Sequence, residues 1–328
     1  MKSQTRISNS IDHLSRRSFL QGALAASTLA MSSALAGCQF SLLEQRIDAT
    51  PSDTMESGEM INVNGTSLYH MSQGSGTPML IMHGGLGLDH EYFQPALESW
   101  GDFAELHFYD HRGNGRSAAP EDWQSVTLDT FADDAEALRV ELGLEKPILY
   151  GHSYGGFIAL GYALRYQDSL SGIILGSTGP NTSYALNIPE WATEEALGAL
   201  NAIFTEPLES DEHWAELWST VLPLYWKDID TDLAADIHSR THYKADATTR
   251  SFQLLAEFDM IGQMSQITIP TLILSGRFDF VTVPQAHEDM HAEIPNSELV
   301  FFEDSGHFPF ITEADRYTDV VRNWIAGL

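Results

Sequence analysis

The sequence predicts an α/β protein whose sheet is mostly parallel with an antiparallel start, and three observations predict it. "EMINVNGTSLYHMSQG" alternates apolar and polar residues about Asn64-Gly65, a dipeptide that suits the positive-φ turn of a β-hairpin. Short apolar runs then recur at Met79–Met82, Leu106–Tyr109, Ile148–Tyr150, Gly172–Leu175, Thr271–Ser275 and Leu299–Phe302. Helical patterns separate several of them, as in Leu128–Leu142, where Phe131, Ala135, Leu138 and Leu142 repeat at helical spacing. Continuous apolar strands alternating with helices mark a sheet covered on both faces, because parallel neighbours need a crossover between them.

From about Pro180 to Gln266 this rhythm stops. The interval shows no strand pattern but carries helical stretches with Trp191, Trp214, Trp218, Tyr225, Trp226 and Phe252. A plain loop of that length does not fit a compact domain, so the interval reads as a helical insertion over the sheet edge. Most of its aromatics are expected to pack the insertion's own core.

The first residues read as an address. "SRRSFLQGALAASTLAMSSALAGC" places Arg16-Arg17 before Phe19-Leu20, then an Ala- and Ser-rich stretch, then Cys38. A membrane span here would be about 18 residues long and broken by polar side chains, against roughly 20 predominantly apolar residues needed. The pattern resembles a twin-arginine export signal joined to a lipoprotein processing box, which implies lipidation of Cys38 and an exported chain anchored on the extracytoplasmic side of a membrane. Cys38 is the only cysteine of the chain, so no intramolecular disulfide competes for it. The expected organisation is an export signal at 1–37, a lipidated tether at 38–58, a core at 59–179 and 267–328, and a helical cap at 180–266.

The 328 residues are 43% hydrophobic, enough for a large core. A net charge of −29, from 46 acidic against 17 basic residues, repels phosphate backbones and excludes nucleic acid as a partner.

"LYGHSYGGFIAL" puts Ser153 between Gly151 and Gly155, after one of the apolar runs and before a helical run. Strand, sharp turn and helix together form the setting in which a serine is presented as a nucleophile, its small neighbours avoiding clashes in strained backbone. A serine hydroxyl needs a base to take its proton and a third group to orient that base. His307 in "VFFEDSGHFPF" follows the last strand and is the base that chain order favours among 13 histidines. The run ending "ILGSTGP" offers no carboxylate, whereas "LILSGRFDFVTVP" offers Asp279 just past its strand. Asp279 is therefore favoured as the acid, with Asp110 in "FYDHRGNGRS" as the rival. "LIMHGGLGLD" puts bare backbone directly after the first parallel strand, and the N–H groups of Gly85 and Tyr154 are the expected oxyanion donors. The P-loop lysine and serine are missing, and no His, Cys or carboxylate set has metal-ligand spacing, so neither a cofactor nor a metal is expected.

"HGGLG", "YDHRGNGRS", "GHSYGG", "SGRFDFVTVP" and "SGHFPF", in this order, resemble the α/β-hydrolase superfamily and most of all its proline-iminopeptidase-like branch. The resemblance runs from about Ile61 to Leu328 apart from the cap. It implies an eight-stranded sheet, a helical cap inserted after the sixth strand, and hydrolysis through an acyl-enzyme on Ser153. A serine in the nucleophile slot sets the chain apart from the haloalkane dehalogenase and epoxide hydrolase branches, which use an aspartate. Two departures bear on substrate. Leu86 stands where that branch has the proline of "HGGPG". Arg240 stands where a cap glutamate of the branch would hold a substrate amine, and a cation there would repel an ammonium group. A serine hydrolase of small esters, lactones or amides is thus the first expectation, with a proline-iminopeptidase-type aminopeptidase of short peptides second and a low-turnover binding or sensing homologue third.

Overall fold

The structure, a computed structural model, describes residues 58–225 and 230–328. The expected export signal, Cys38, nearly all of the tether and Trp226 lie outside the described residues. The hairpin forms from β1 (Glu59–Val63) and β2 (Thr66–Gly74), and Asn64 at φ 45° with Gly65 at φ 71° supplies the two positive φ values of its turn. There follow β3 (Thr77–Met82), β4 (Ala104–Tyr109), α1 (Leu128–Glu141), β5 (Ile148–His152), α2 (Tyr154–Tyr166) and β6 (Gly172–Gly176). Next come α3 (Glu194–Thr205), α4 (Asp211–Val221), α5 (Thr231–Arg240) and α6 (Ala245–Glu257). The chain ends with β7 (Thr271–Gly276), α7 (Pro284–Glu293), β8 (Ser297–Phe302), α8 (Pro309–Thr312) and α9 (Ala314–Ala326). This is an α/β-hydrolase fold: one sheet of eight strands ordered β1-β2-β4-β3-β5-β6-β7-β8, antiparallel from β1 to β4 and parallel from β4 to β8.

Side-chain alternation on the strands divides the core in two. Ile81, Phe108, Ile148, Tyr150 and Leu274 face one layer with Trp100 and with Tyr317, Val321 and Trp324 of α9. Leu80, Met82, Leu149, Leu175 and Ile273 face the other, with Phe131 and Leu138 of α1 and Phe157 of α2. Because both faces are covered, the parallel strands read in sequence as unbroken apolar runs instead of alternating ones. Truncating a fully buried aromatic such as Phe131 to alanine carries a cost of about 3–5 kcal/mol, so the layers also hold the strand ends in place.

Between β6 and β7 the chain leaves the sheet. Its three first helices start on side-chain caps: Thr193 accepts from Ala196 N at 3.1 Å, Ser210 from His213 N at 3.1 Å, and Asp230 from Asp232 N and Leu233 N at 3.0 Å each. The two ends of the excursion meet at an isolated bridge between Asn181 and Asp259.

Strand order also locates the crevice. β3 pairs with β4 on one side and β5 on the other, so the loops leaving β3 and β5 diverge at the carboxyl edge of the sheet. Such a reversal of strand order opens a gap where ligands bind in open α/β sheets. Gly85 follows β3 and Ser153 follows β5, which brings both to this gap.

Candidate active site

Ser153 sits at φ 54° and ψ −118°, directly between β5 and α2. A non-glycine residue holds such a conformation at a cost of about 1–3 kcal/mol and only when its surroundings dictate it. Here the Ser153 N–H donates to Gly176 O at 2.9 Å, and the Ser153 carbonyl accepts from Thr178 Oγ1 at 2.8 Å and Gly156 N at 3.0 Å. The flanking glycines answer to close approach: a Cβ on Gly151 would lie 2.6 Å from Gly155 O, and one on Gly155 2.2 Å from Met82 O. Tyr154 is the first residue of α2, so its N–H has no partner inside the helix.

His307 lies in the loop after β8, and its backbone N–H is held by Tyr225 O at 2.7 Å. Its Nδ1 donates to Asp279 Oδ2 at 2.8 Å, which leaves Nε2 as the basic nitrogen. Asp279, fully buried after β7, accepts on Oδ1 from the Val281 and Thr282 N–H groups at 2.9 Å each, and on Oδ2 also from Thr282 Oγ1 at 2.6 Å. Burial alone would raise its pKa, but His307, the nearby His287 and the Thr282 hydroxyl outweigh it and hold the carboxyl at about 2. The rival Asp110 is equally buried yet faces elsewhere. It accepts from His90 Nδ1 at 2.6 Å and Arg116 N at 2.9 Å, closing its own loop onto the turn that follows β3.

Sequence reasoning missed a hydrogen-bonded chain behind the serine. The Tyr92 hydroxyl accepts from Gly84 N at 2.6 Å and therefore donates to His152 Nδ1 at 2.8 Å. His152 Nε2 in turn donates to the His307 carbonyl at 3.0 Å. One chain thus ties the glycine loop after β3, the residue before Ser153 and the backbone of His307. Burial, then the neighbouring His307, lower the His152 pKa to about 3, so the ring stays neutral and keeps this donor and acceptor pattern. The only sequence signal was position: His152 immediately precedes the nucleophile, and Tyr92 follows "HGGLG" closely.

Ser153, His307, Gly85, Tyr154 and His152 all line one cavity roofed by the helices between β6 and β7. Gly85 stands at φ 68° there. Two expectations are corrected at this point. Trp214 and Trp218 of α4, Phe252 of α6 and Tyr225, which follows α4, line the cavity instead of only packing among themselves. Trp191 stays outside it, with Nε1 bonded to Pro223 O at 3.2 Å. Arg240 does not face the cavity either: its guanidinium donates to Glu91 O at 2.9 Å, Gln94 O at 2.7 Å and Asp236 Oδ2 at 2.8 Å. It is a strut between α5 and the turn after β3, so it does not act on a bound amine. Among the described residues, the cavity wall contains no Asp, Glu, Lys or Arg.

Comparison with known proteins agrees with the fold described above. The profile of the alpha/beta hydrolase fold family matches residues 77–314. A proline iminopeptidase of Saccharolobus solfataricus is 29% identical over 284 residues, covering 79% of this chain and 87% of that one. Among solved structures, an esterase from Exiguobacterium antarcticum superposes with a TM-score of 0.69 at 24% identity, over 82% of this chain and 99% of its own. An enol-lactonase from Burkholderia xenovorans LB400 does so with 0.66 at 23%, over 82% and 100%. At these identities the two structures speak for the fold alone.

Proposed function

Because the chain belongs to the alpha/beta-hydrolase family and is a serine hydrolase, we propose that it cleaves small uncharged esters and lactones with apolar acyl groups, through an acyl-enzyme on Ser153. The observation that carries this reading is the cavity wall. Its described residues offer aromatic and aliphatic surface around Ser153 and no carboxylate to meet a substrate ammonium. Burying an unpaired ammonium there costs several kcal/mol, whereas an apolar acyl group gains roughly 25 cal/mol per Å² removed from water.

In the proposed reaction, Ser153 Oγ attacks the carbonyl carbon as His307 Nε2 takes its proton. The carbonyl π electrons move to oxygen, and the oxyanion meets the Gly85 and Tyr154 N–H groups, each such donor contributing about 3–4 kcal/mol in the transition state. Collapse breaks the bond to the alcohol oxygen, which leaves with the proton from His307. Water, deprotonated by His307, then attacks the acyl carbon and releases the acid and Ser153. Asp279 keeps Nδ1 protonated throughout and stabilises the imidazolium that forms. The chain through Tyr92 and His152 supports this cycle by fixing the glycine loop against the His307 backbone.

Purified protein is expected to turn over nitrophenyl acyl esters readily and proline arylamides hardly at all, read as kcat/KM for the two series. Faster turnover of proline arylamides overturns the ester reading in favour of the second one, an aminopeptidase. That alternative has a specific support, the iminopeptidase relative at 29% identity.

The proposal also places the enzyme on the extracytoplasmic side of a membrane, tethered through Cys38. Arg16-Arg17 ahead of a processing box ending at Cys38 supports this. Mass spectrometry of the mature chain is expected to find lipidated Cys38 as its first residue; any other start removes the anchor.

A further inference from the structure

We propose that the indole N–H of Trp214 is a substrate-recognition donor, so that the preferred acyl chain carries an oxygen acceptor, such as a ketone, beyond the scissile carbonyl. The inference rests on the ester reading above and names its substrate class more closely. Trp214 stands on α4, is 2% exposed and lines the cavity that holds Ser153. Its Nε1 is buried without any acceptor among the described residues. Buried tryptophans ordinarily pair this group, since a donor withdrawn from water and left unbonded is costly. Trp100, the other fully buried tryptophan among the described residues, follows the rule, its Nε1 donating to Thr318 Oγ1 at 3.0 Å.

Three other polar side chains of the wall are committed. The Tyr92 hydroxyl serves His152, Thr241 Oγ1 donates to Ile237 O at 2.8 Å, and Thr282 Oγ1 donates to Asp279 Oδ2, whereas the Tyr154 hydroxyl at the start of α2 is, like Trp214 Nε1, buried without a partner. Helix α4 of the roof therefore keeps a strong indole donor in reserve. A plain alkanoyl group fills the chamber but leaves that donor as it was. An acyl chain with an oxygen at the right carbon satisfies it and orients itself in doing so, which is how a site built around a hydrogen bond discriminates between near-isosteric substrates.

The test compares nitrophenyl alkanoates of equal length in which one methylene, at successive carbons from the third outward, is replaced by a ketone. At one position the wild-type kcat/KM is expected to exceed that of the parent ester by about tenfold. In Trp214→Phe, which keeps an aromatic ring but no N–H, the preference is expected to fall to near unity. A wild-type enzyme that favours the parent at every position overturns the inference, as does an oxo preference that survives in Trp214→Phe. Should that variant not fold, the wild-type preference is read beside the Trp214 indole proton resonance in Ser153→Ala bound to the matching oxo-ester; an unmoved resonance overturns the inference. Failure of the wild type to hydrolyse any ester of the series instead sinks the ester reading itself.

Discussion

Ser153→Ala is expected to lower kcat on nitrophenyl esters by about 10⁴-fold or more while leaving the far-UV circular dichroism unchanged. The magnitude follows from what the substitution removes and what it spares. Without Oγ there is no acyl-enzyme, and His307 is left to activate water directly. The Gly85 and Tyr154 N–H groups and the apolar wall remain, so a small residual rate above the uncatalysed one is expected. Backbone strain at φ 54° is carried by the surrounding bonds to Gly176, Thr178 and Gly156, none of which involves the hydroxyl, so the fold has no reason to change. A fluorophosphonate should label the wild type at Ser153 and leave the variant unlabelled. Full activity in the variant overturns the assignment of the nucleophile. An unlabelled wild type that turns over nothing instead supports the low-turnover binding reading.

The elements of the fold were legible in sequence because the signals for them are local. Each apolar run read as a strand overlaps one of β3 to β8, and Asn64-Gly65 lies at the hairpin turn, where the backbone demands two positive φ values. The placement of Ser153, Asp279 and His307 was legible for a related reason. Each directly follows a strand or sits in the loop after one, and a parallel sheet delivers such loops to one edge whatever lies between them. What failed to show was everything that depends on how distant segments dock. Arg240 is charged and sits in the cap, yet only the approach of α5 to the His90–Phe93 turn decides that its guanidinium is spent on Glu91 and Gln94 carbonyls. Helical spacing shows that Trp214 and Trp218 share a helix face, but not whether that face meets other cap helices or the cavity. The Tyr92–His152 pair spans segments 60 residues apart and joins them through a single hydroxyl, which leaves no periodic trace.

Asp279→Asn is expected to lower kcat by about 10⁴-fold with the protein still folded, and geometry indicates why so small a change should do so much. The side chain is held by two backbone donors on Oδ1, from Val281 and Thr282, and by Thr282 Oγ1 and His307 Nδ1 on Oδ2. An asparagine must keep its carbonyl toward the two N–H groups, because an amide nitrogen there would face donors. Its NH₂ is thereby forced toward His307, whose Nδ1 must then accept a hydrogen bond instead of donating one. The proton moves to Nε2, and the base is in the wrong tautomer to take a proton from Ser153. Loss of the charge adds to the effect, since the native carboxylate, held at about 2, is ionised throughout the working range and stabilises the imidazolium of each transition state. Fluorophosphonate labelling should be slowed in this variant but not abolished, in contrast to Ser153→Ala. Asp110→Asn is the informative companion. Its carboxylate serves His90 and the Arg116 N–H, away from His307, so it should lower thermal stability while sparing most of kcat. If Asp110→Asn instead proves the more damaging to kcat with Asp279→Asn nearly wild type, the acid has been assigned to the wrong loop.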